Sequence, residues 1–243
     1  MKASLSRRLT AEFIGTGLLV AAVVGSGIMG ERLSGGNVAI ALLANTIATG
    51  AALVVLILAF ADISGAHFNP AVSMVDALAD GLAWSDAAAY GLVQCVGGVT
   101  GTMAAHLMFG LPLISLSRRA RSGPAQMFSE FIATFGLIAA IWMCSRLRPS
   151  MVAFAVGAYI TSAYWFTGST SFANPAVTIA RCLSDTFAGI RPADVPGFIA
   201  AQLLGAVAAM LLCRWLVPPA GEAENAGAII SENAVYTGRH LKA

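Results

Sequence analysis

Charge is scarce in this chain. Only 11% of its 243 residues are Asp, Glu, Lys or Arg, less than half the roughly 25% of ordinary soluble domains. The net charge of +2 is too small to attract nucleic acid or acidic partners. Cysteine is nearly as rare. Cys95, Cys144, Cys182 and Cys213 lie in or beside apolar segments without CxxC spacing, so they read as small buried hydrophobes. Of the three histidines, neither His67 nor His106 has a nucleophile and an acid at readable spacing, which disfavours an enzyme. No residue pattern asks for a cofactor or a metal.

What fills the space is apolar. Hydrophobic residues make up 58% of the chain and the mean hydropathy is +0.78. Segments at roughly 9–29, 37–60, 87–109, 127–145, 150–167 and 195–216 approach the ~20 residues needed to cross a bilayer. The first is too long for the apolar core of a removable signal peptide and contains Glu12. The expectation is one all-α membrane domain of six transmembrane helices.

Two further segments are helical but too short to cross. Asn69-Pro70-Ala71 and Asn174-Pro175-Ala176 each pair a helix-capping Asn with a Pro suited to the first helical position. About ten apolar residues follow each box, predicting half-helices over 69–79 and 174–184. Helix ends at membrane depth are tolerated only where protein or a water-filled cavity receives them. That points to a pore.

The chain is one unit written twice. Glu12-Phe13-Ile14 matches Glu130-Phe131-Ile132, the two boxes match, and Gln94-x-x-Gly97 matches Gln202-x-x-Gly205. The first repeat takes 8–109, a polar connector 110–126, the second repeat 127–216, and a Gly/Ala/Glu/Asn-rich tail, expected to be exposed and partly disordered, 217–243. Three spans per repeat is an odd number, so the second copy enters from the opposite side and the half-helices approach the midplane from opposite faces. Placing both termini in the cytoplasm puts eight cationic residues inside (Lys2, Arg7, Arg8, Arg146, Arg148, Arg214, Arg239, Lys242) against six outside (Arg32, Arg118, Arg119, Arg121, Arg181, Arg191). This agrees with the positive-inside rule.

Paired boxes, a Glu early in each repeat and a Gln-x-x-Gly in each third span resemble the major intrinsic protein family of aquaporins and glycerol facilitators, over about residues 8–216. The resemblance implies a homotetramer in the cell inner (plasma) membrane, with one pore per subunit for small neutral solutes. Both half-helices would aim positive dipole ends at the pore centre, and each Asn amide NH2 would be free to donate to a passing oxygen. Glu12 and Glu130 would scaffold the loops before the boxes, and His67 would hold its loop by a hydrogen bond.

The chain departs from the family at the constriction. Where most members place Arg after the second box, it has Val177. Counting twenty before Asn69 gives Thr49, and counting twelve and three before Asn174 gives Ser162 and Ser171. The ring Thr49, Ser162, Ser171, Val177 contains no aromatic, His or Arg, and should be wide and hydroxyl-lined. Arg181, one turn beyond Val177, is a candidate charge at the mouth; the plainer reading has it reach headgroups or pair with Asp185. Phe172 is a second candidate for the mouth. The box followed by Val, the short inter-repeat loop and the run Tyr164-Trp165-Phe166-Thr167 are similar to a bacterial branch associated with arsenic-resistance operons, the AqpS type. That resemblance implies arsenite, neutral at pH 7 and glycerol-like, among the solutes. A charged solute would pass weakly at most, through a wide ring with Arg118, Arg119 and Arg121 outside it.

The alternatives are a secondary transporter and a strict water channel. A transporter with inverted repeats would need coupling carboxylates at the midplane, and none accompanies the boxes. A strict water channel would carry Phe, His and Arg at the constriction, in place of Thr49, Ser162 and Val177.

Overall fold

A computed structural model describes residues 3–217; the tail over 218–243, with Arg239 and Lys242, and Lys2 at the other end lie outside the described residues. Among these there are eight α-helices and no strand. They are α1 (Leu5–Leu33), α2 (Val38–Ser64), α3 (Pro70–Leu78), α4 (Trp84–Met108), α5 (Pro124–Leu147), α6 (Val152–Phe166), α7 (Pro175–Arg181) and α8 (Val195–Leu216). Four segments are long and apolar enough to cross a membrane: α1, α2, α5 and the stretch Pro192–Leu216 containing α8. The more polar α4 and the 15-residue α6 complete six long helices around two half-helices.

Local signals set the ends. Asn37 starts α2 by accepting from Ala39 N and Ile40 N, and Gly65 stops it in the left-handed region at φ +89°. The second half-helix ends at Arg181, earlier than the expected 184. Cys182 N, Leu183 N and Ser184 N bond three residues back, which tightens the chain out of α geometry. The connector then takes over, with Ser117 N donating to Cys182 O and Ser115 N to Leu183 O.

The repeats pack alike. Helix α1 lies on α4 and α5 on α8, while α2 meets α6 across the repeat boundary. The Gln-x-x-Gly motifs explain the first two contacts. A Cβ on Gly97 would fall on Phe13 O, and one on Gly205 would fall on Phe131 O, the residue after each repeat's early Glu. Small residues at such crossings let helix backbones approach closely. Each half-helix touches the third long helix of both repeats, α3 and α7 alike against α4 and α8. The outward faces carry exposed Leu18, Val55, Leu58, Leu92, Leu204 and Leu211, a surface suited to lipid. Of the cysteines only Cys213 is buried; Cys95, Cys144 and Cys182 are half-buried, because they sit on faces turned partly outward.

Candidate functional site

The boxes sit back to back. Asn69 Oδ1 accepts from Ala71 N at 2.9 Å, and Asn174 Oδ1 from Ala176 N at 2.9 Å and Val177 N at 3.2 Å. Asn69 Nδ2 donates to Ala173 O at 2.8 Å, and Asn174 Nδ2 to Phe68 O at 2.7 Å. The amide groups are therefore not wholly free, contrary to the sequence expectation. One N–H of each ties it to the other repeat, and one remains. Phe68 and Ala173, whose carbonyls accept these bonds, have φ of +48° and +49°, and Ala66 and Ser171 both have +50°. Non-glycine residues there cost about 1–3 kcal/mol each, so the loops need support.

Support comes from the two buried carboxyl groups. Glu12 accepts from Ser64 Oγ (2.6 Å), His67 N (3.0 Å), Phe68 N (2.6 Å) and Gln94 Nε2 (2.8 Å). Glu130 accepts from Phe172 N and Ala173 N, both at 2.9 Å, and Gln202 Nε2 at 2.6 Å. Each Gln also reaches the hydroxyl four residues past its box's Asn: Gln94 to Ser73 at 3.1 Å, Gln202 to Thr178 at 2.9 Å. These hydroxyls escape sequence reading, although their equal distance from the two Asn residues is a usable signal. His67 Nδ1 lies 3.1 Å from Ser73 Oγ, and its Nε2 is 3.7 Å from Asp76. His106 ties the connector to the stretch after α7, at 2.7 Å from Pro112 O and 2.8 Å from Ser184 Oγ.

A cavity of about 430 Å³ runs past both boxes. His67, Asp76 and Arg146 border one end, Asn69 and Asn174 the middle, and Thr49, Tyr164, Ser171, Phe172, Val177 and Arg181 the other end. Ser162 is not among them. It lies exposed on α6, with its hydroxyl donating to Tyr159 O at 2.7 Å. The cavity face of α6 is Val152, Val156, Ile160 and Tyr164, an i+4 series. Ser162, two residues from that series, points about 200° away. Counting from the box assumed a fixed spacing, which places the position two residues early. The ring consequently contains an aromatic, contrary to the sequence expectation: Tyr164 and Thr49 share a hydrogen bond of 3.2 Å.

Arg181 also differs from its plainer reading. It is 1% exposed, and Asp185 pairs with Arg118 instead, at 2.8 Å. That pairing holds the Asp185 carboxyl below its usual range, chiefly through the Arg118 backbone N–H and then its guanidinium. Arg181 Nε donates to Ala188 O, and its guanidinium carbon lies 3.4 Å from the Phe172 ring centroid. Phe172 in turn packs edge-on against Phe198. The space beside Val177 thus holds a buried cation and a ring.

Inverted halves, half-helix N-termini meeting at a cavity and an apolar outer surface define a membrane channel for small solutes. The sequence profile described as Major intrinsic protein matches residues 1–149 and again 145–242, and the chain belongs to that family. It is 58% identical over 216 residues to the aquaglyceroporin AqpS of Rhizobium meliloti (strain 1021), covering 89% of this chain and 92% of that protein. A probable aquaporin of Arabidopsis thaliana, NIP7-1, is 28% identical over 86% of this chain and 76% of its own length. In fold the chain is similar to the crystallographic aquaglyceroporin of Plasmodium falciparum, with a TM-score of 0.68 and 24% identity over 87% of this chain and 95% of that one.

Proposed function

We propose that the protein is a passive channel for water and glycerol-like polyols, and that arsenite is among its solutes. The observation carrying this reading is the constriction end of the cavity. Val177 stands where Arg would narrow it, while Thr49, Tyr164 and Ser171 offer hydroxyls. Ser171 Oγ is buried without a protein partner and is available to a solute oxygen. The remaining N–H of Asn69 and of Asn174 supplies donors at the centre, where two helix N-termini disfavour cations. The likeness to an aquaglyceroporin supports polyols, and the box followed by Val supports the arsenical. On this reading the protein is a homotetramer in the cell inner membrane with cytoplasmic termini, and native mass spectrometry should show four copies.

The test is stopped-flow light scattering on proteoliposomes with water, glycerol, urea and arsenite. Wild type should pass glycerol and arsenite without saturation and with a low activation energy. Val177→Arg adds a second guanidinium beside Arg181, and should cut glycerol and arsenite flux several-fold while largely sparing water. Equal flux of the larger solutes in both proteins, at matched protein level, would make Val177 a passive wall residue and remove the basis of this reading.

A further inference from the structure

Three arginines converge on one turn beside the constriction. The consecutive carbonyls of Phe187, Ala188 and Gly189 accept from Arg119 Nη1 (2.9 Å), Arg181 Nε and Arg121 Nε (2.8 Å) respectively. Arg121 Nη1 also donates to Ser169 O at 2.8 Å and approaches Thr170 Oγ1 at 3.4 Å. The guanidinium carbons of Arg181 and Arg121 lie 3.4 and 4.9 Å from the same Phe172 centroid, so they are at most 8.3 Å apart, the sum of the two distances. Burial, then repulsion from Arg181 and Arg119, holds the Arg121 guanidinium below its usual range.

None of the three guanidinium groups is held in an ion pair. Asp185 pairs with Arg118 and Asp194 with Arg191. Asp194 also accepts from the Arg121 backbone N–H at 2.8 Å, but among the described residues no carboxylate forms an ion pair with the guanidinium of Arg119, Arg121 or Arg181. The carboxyl behind Phe172, that of Glu130, is occupied by Phe172 N, Ala173 N and Gln202. A guanidinium has five N–H donors, so these bonds leave most of the donors unused. Arg181 Nη1 is buried with no partner at all. All three arginines border a second cavity of about 240 Å³, and Arg181 borders the solute cavity as well.

We propose that Arg119, Arg121 and Arg181 form a binding site for a small oxyanion at this mouth of the channel, and that an anion held there obstructs neutral solutes. Arg forks match oxygens carried on one centre, and charge-assisted bonds in a site partly withdrawn from water are the strong ones. The buried Nη1 of Arg181 is the donor that most needs an acceptor. The site goes beyond the neutral-solute reading and does not depend on which polyol passes.

Inorganic phosphate is the probe. Isothermal titration calorimetry on the purified full chain should show saturable phosphate binding against a chloride background of equal ionic strength. Arg119→Gln removes an exposed member of the trio and should weaken binding about tenfold or more, the equivalent of one charge-assisted hydrogen bond. Arg181→Gln should abolish binding. Arg118→Gln, which removes an exposed cation paired with Asp185, should leave it unchanged. In proteoliposomes, phosphate should slow glycerol uptake, with a half-effect concentration shifted by the same variants. Absence of saturable binding in wild type would mean that water alone serves Arg181, and would overturn the proposal. Equal weakening by Arg118→Gln and Arg119→Gln would reduce it to unspecific charge and also overturn it. Should glycerol flux itself be missing, the polyol reading fails while calorimetry still decides the anion site.

Discussion

At the scale of single residues, the proposed constriction turns on which side chains of α6 and α7 reach the cavity. Tyr164 does and Ser162 does not. Tyr164→Ala should therefore raise glycerol flux by opening the ring and freeing Thr49, whereas Ser162→Ala should leave every flux unchanged. Stopped-flow measurement of the pair checks the assignment, and a change in Ser162→Ala alone would return the position to the counted residue. Val177 was legible because it adjoins the box. Arg181 was legible as an arginine one turn on, but its burial was not. Lipid headgroups, Asp185 and the Ala188 carbonyl are all reachable for so long a side chain, and only the folded chain chooses among them.

At the scale of elements, each half-helix depends on a loop held in left-handed geometry and on the carboxyl group that holds it. Glu130→Gln keeps the shape but turns one acceptor into a donor facing donors, since Oε1 receives Phe172 N and Oε2 receives Ala173 N and Gln202 Nε2. At least one bond is lost and one N–H is stranded, for about 1–3 kcal/mol. A lower melting temperature in detergent is expected, with the ratio of glycerol to water flux preserved in the surviving channels. A changed ratio at unchanged stability would instead give Glu130 a direct part in selectivity. The crossing of α5 and α8 is equally exposed to a small change. Gly205→Val places side-chain carbons on Phe131 O, forcing the helices apart for about 1–3 kcal/mol. Thermal unfolding followed by circular dichroism should show the loss, and Leu204→Val, on the outer face of the same helix, should show almost none.

At the scale of the whole molecule, the twofold repetition makes a quantitative expectation. Gln94 and Gln202 occupy equivalent positions, each bonding its repeat's Glu and the hydroxyl four residues past the box Asn. Gln94→Ala and Gln202→Ala should destabilise by similar amounts, about 1–3 kcal/mol each. A mild effect in one half and a severe one in the other would show that the repeats have divided their structural work.

The sequence by itself determined the class, the membrane setting, the count of long helices and the inverted pairing of half-helices. Those follow from local and periodic signals: apolar length, an Asn cap before Pro, and a unit repeated at matched positions. It also exposed the Glu and Gln-x-x-Gly residues, because a charge or amide among apolar neighbours needs a buried partner. The tertiary structure alone decided which side chains surround the cavity, since a two-residue difference in spacing rotates a helical position to the opposite face. It alone decided that each box Asn donates to the other repeat's carbonyl, and that Arg119 and Arg121 of the connector meet Arg181 of the second half-helix on one turn. Contacts between residues 48 to 106 positions apart, such as Arg121 with Ser169 and Asn174 with Phe68, leave no periodic trace in the sequence; they exist only once the two halves have closed on each other.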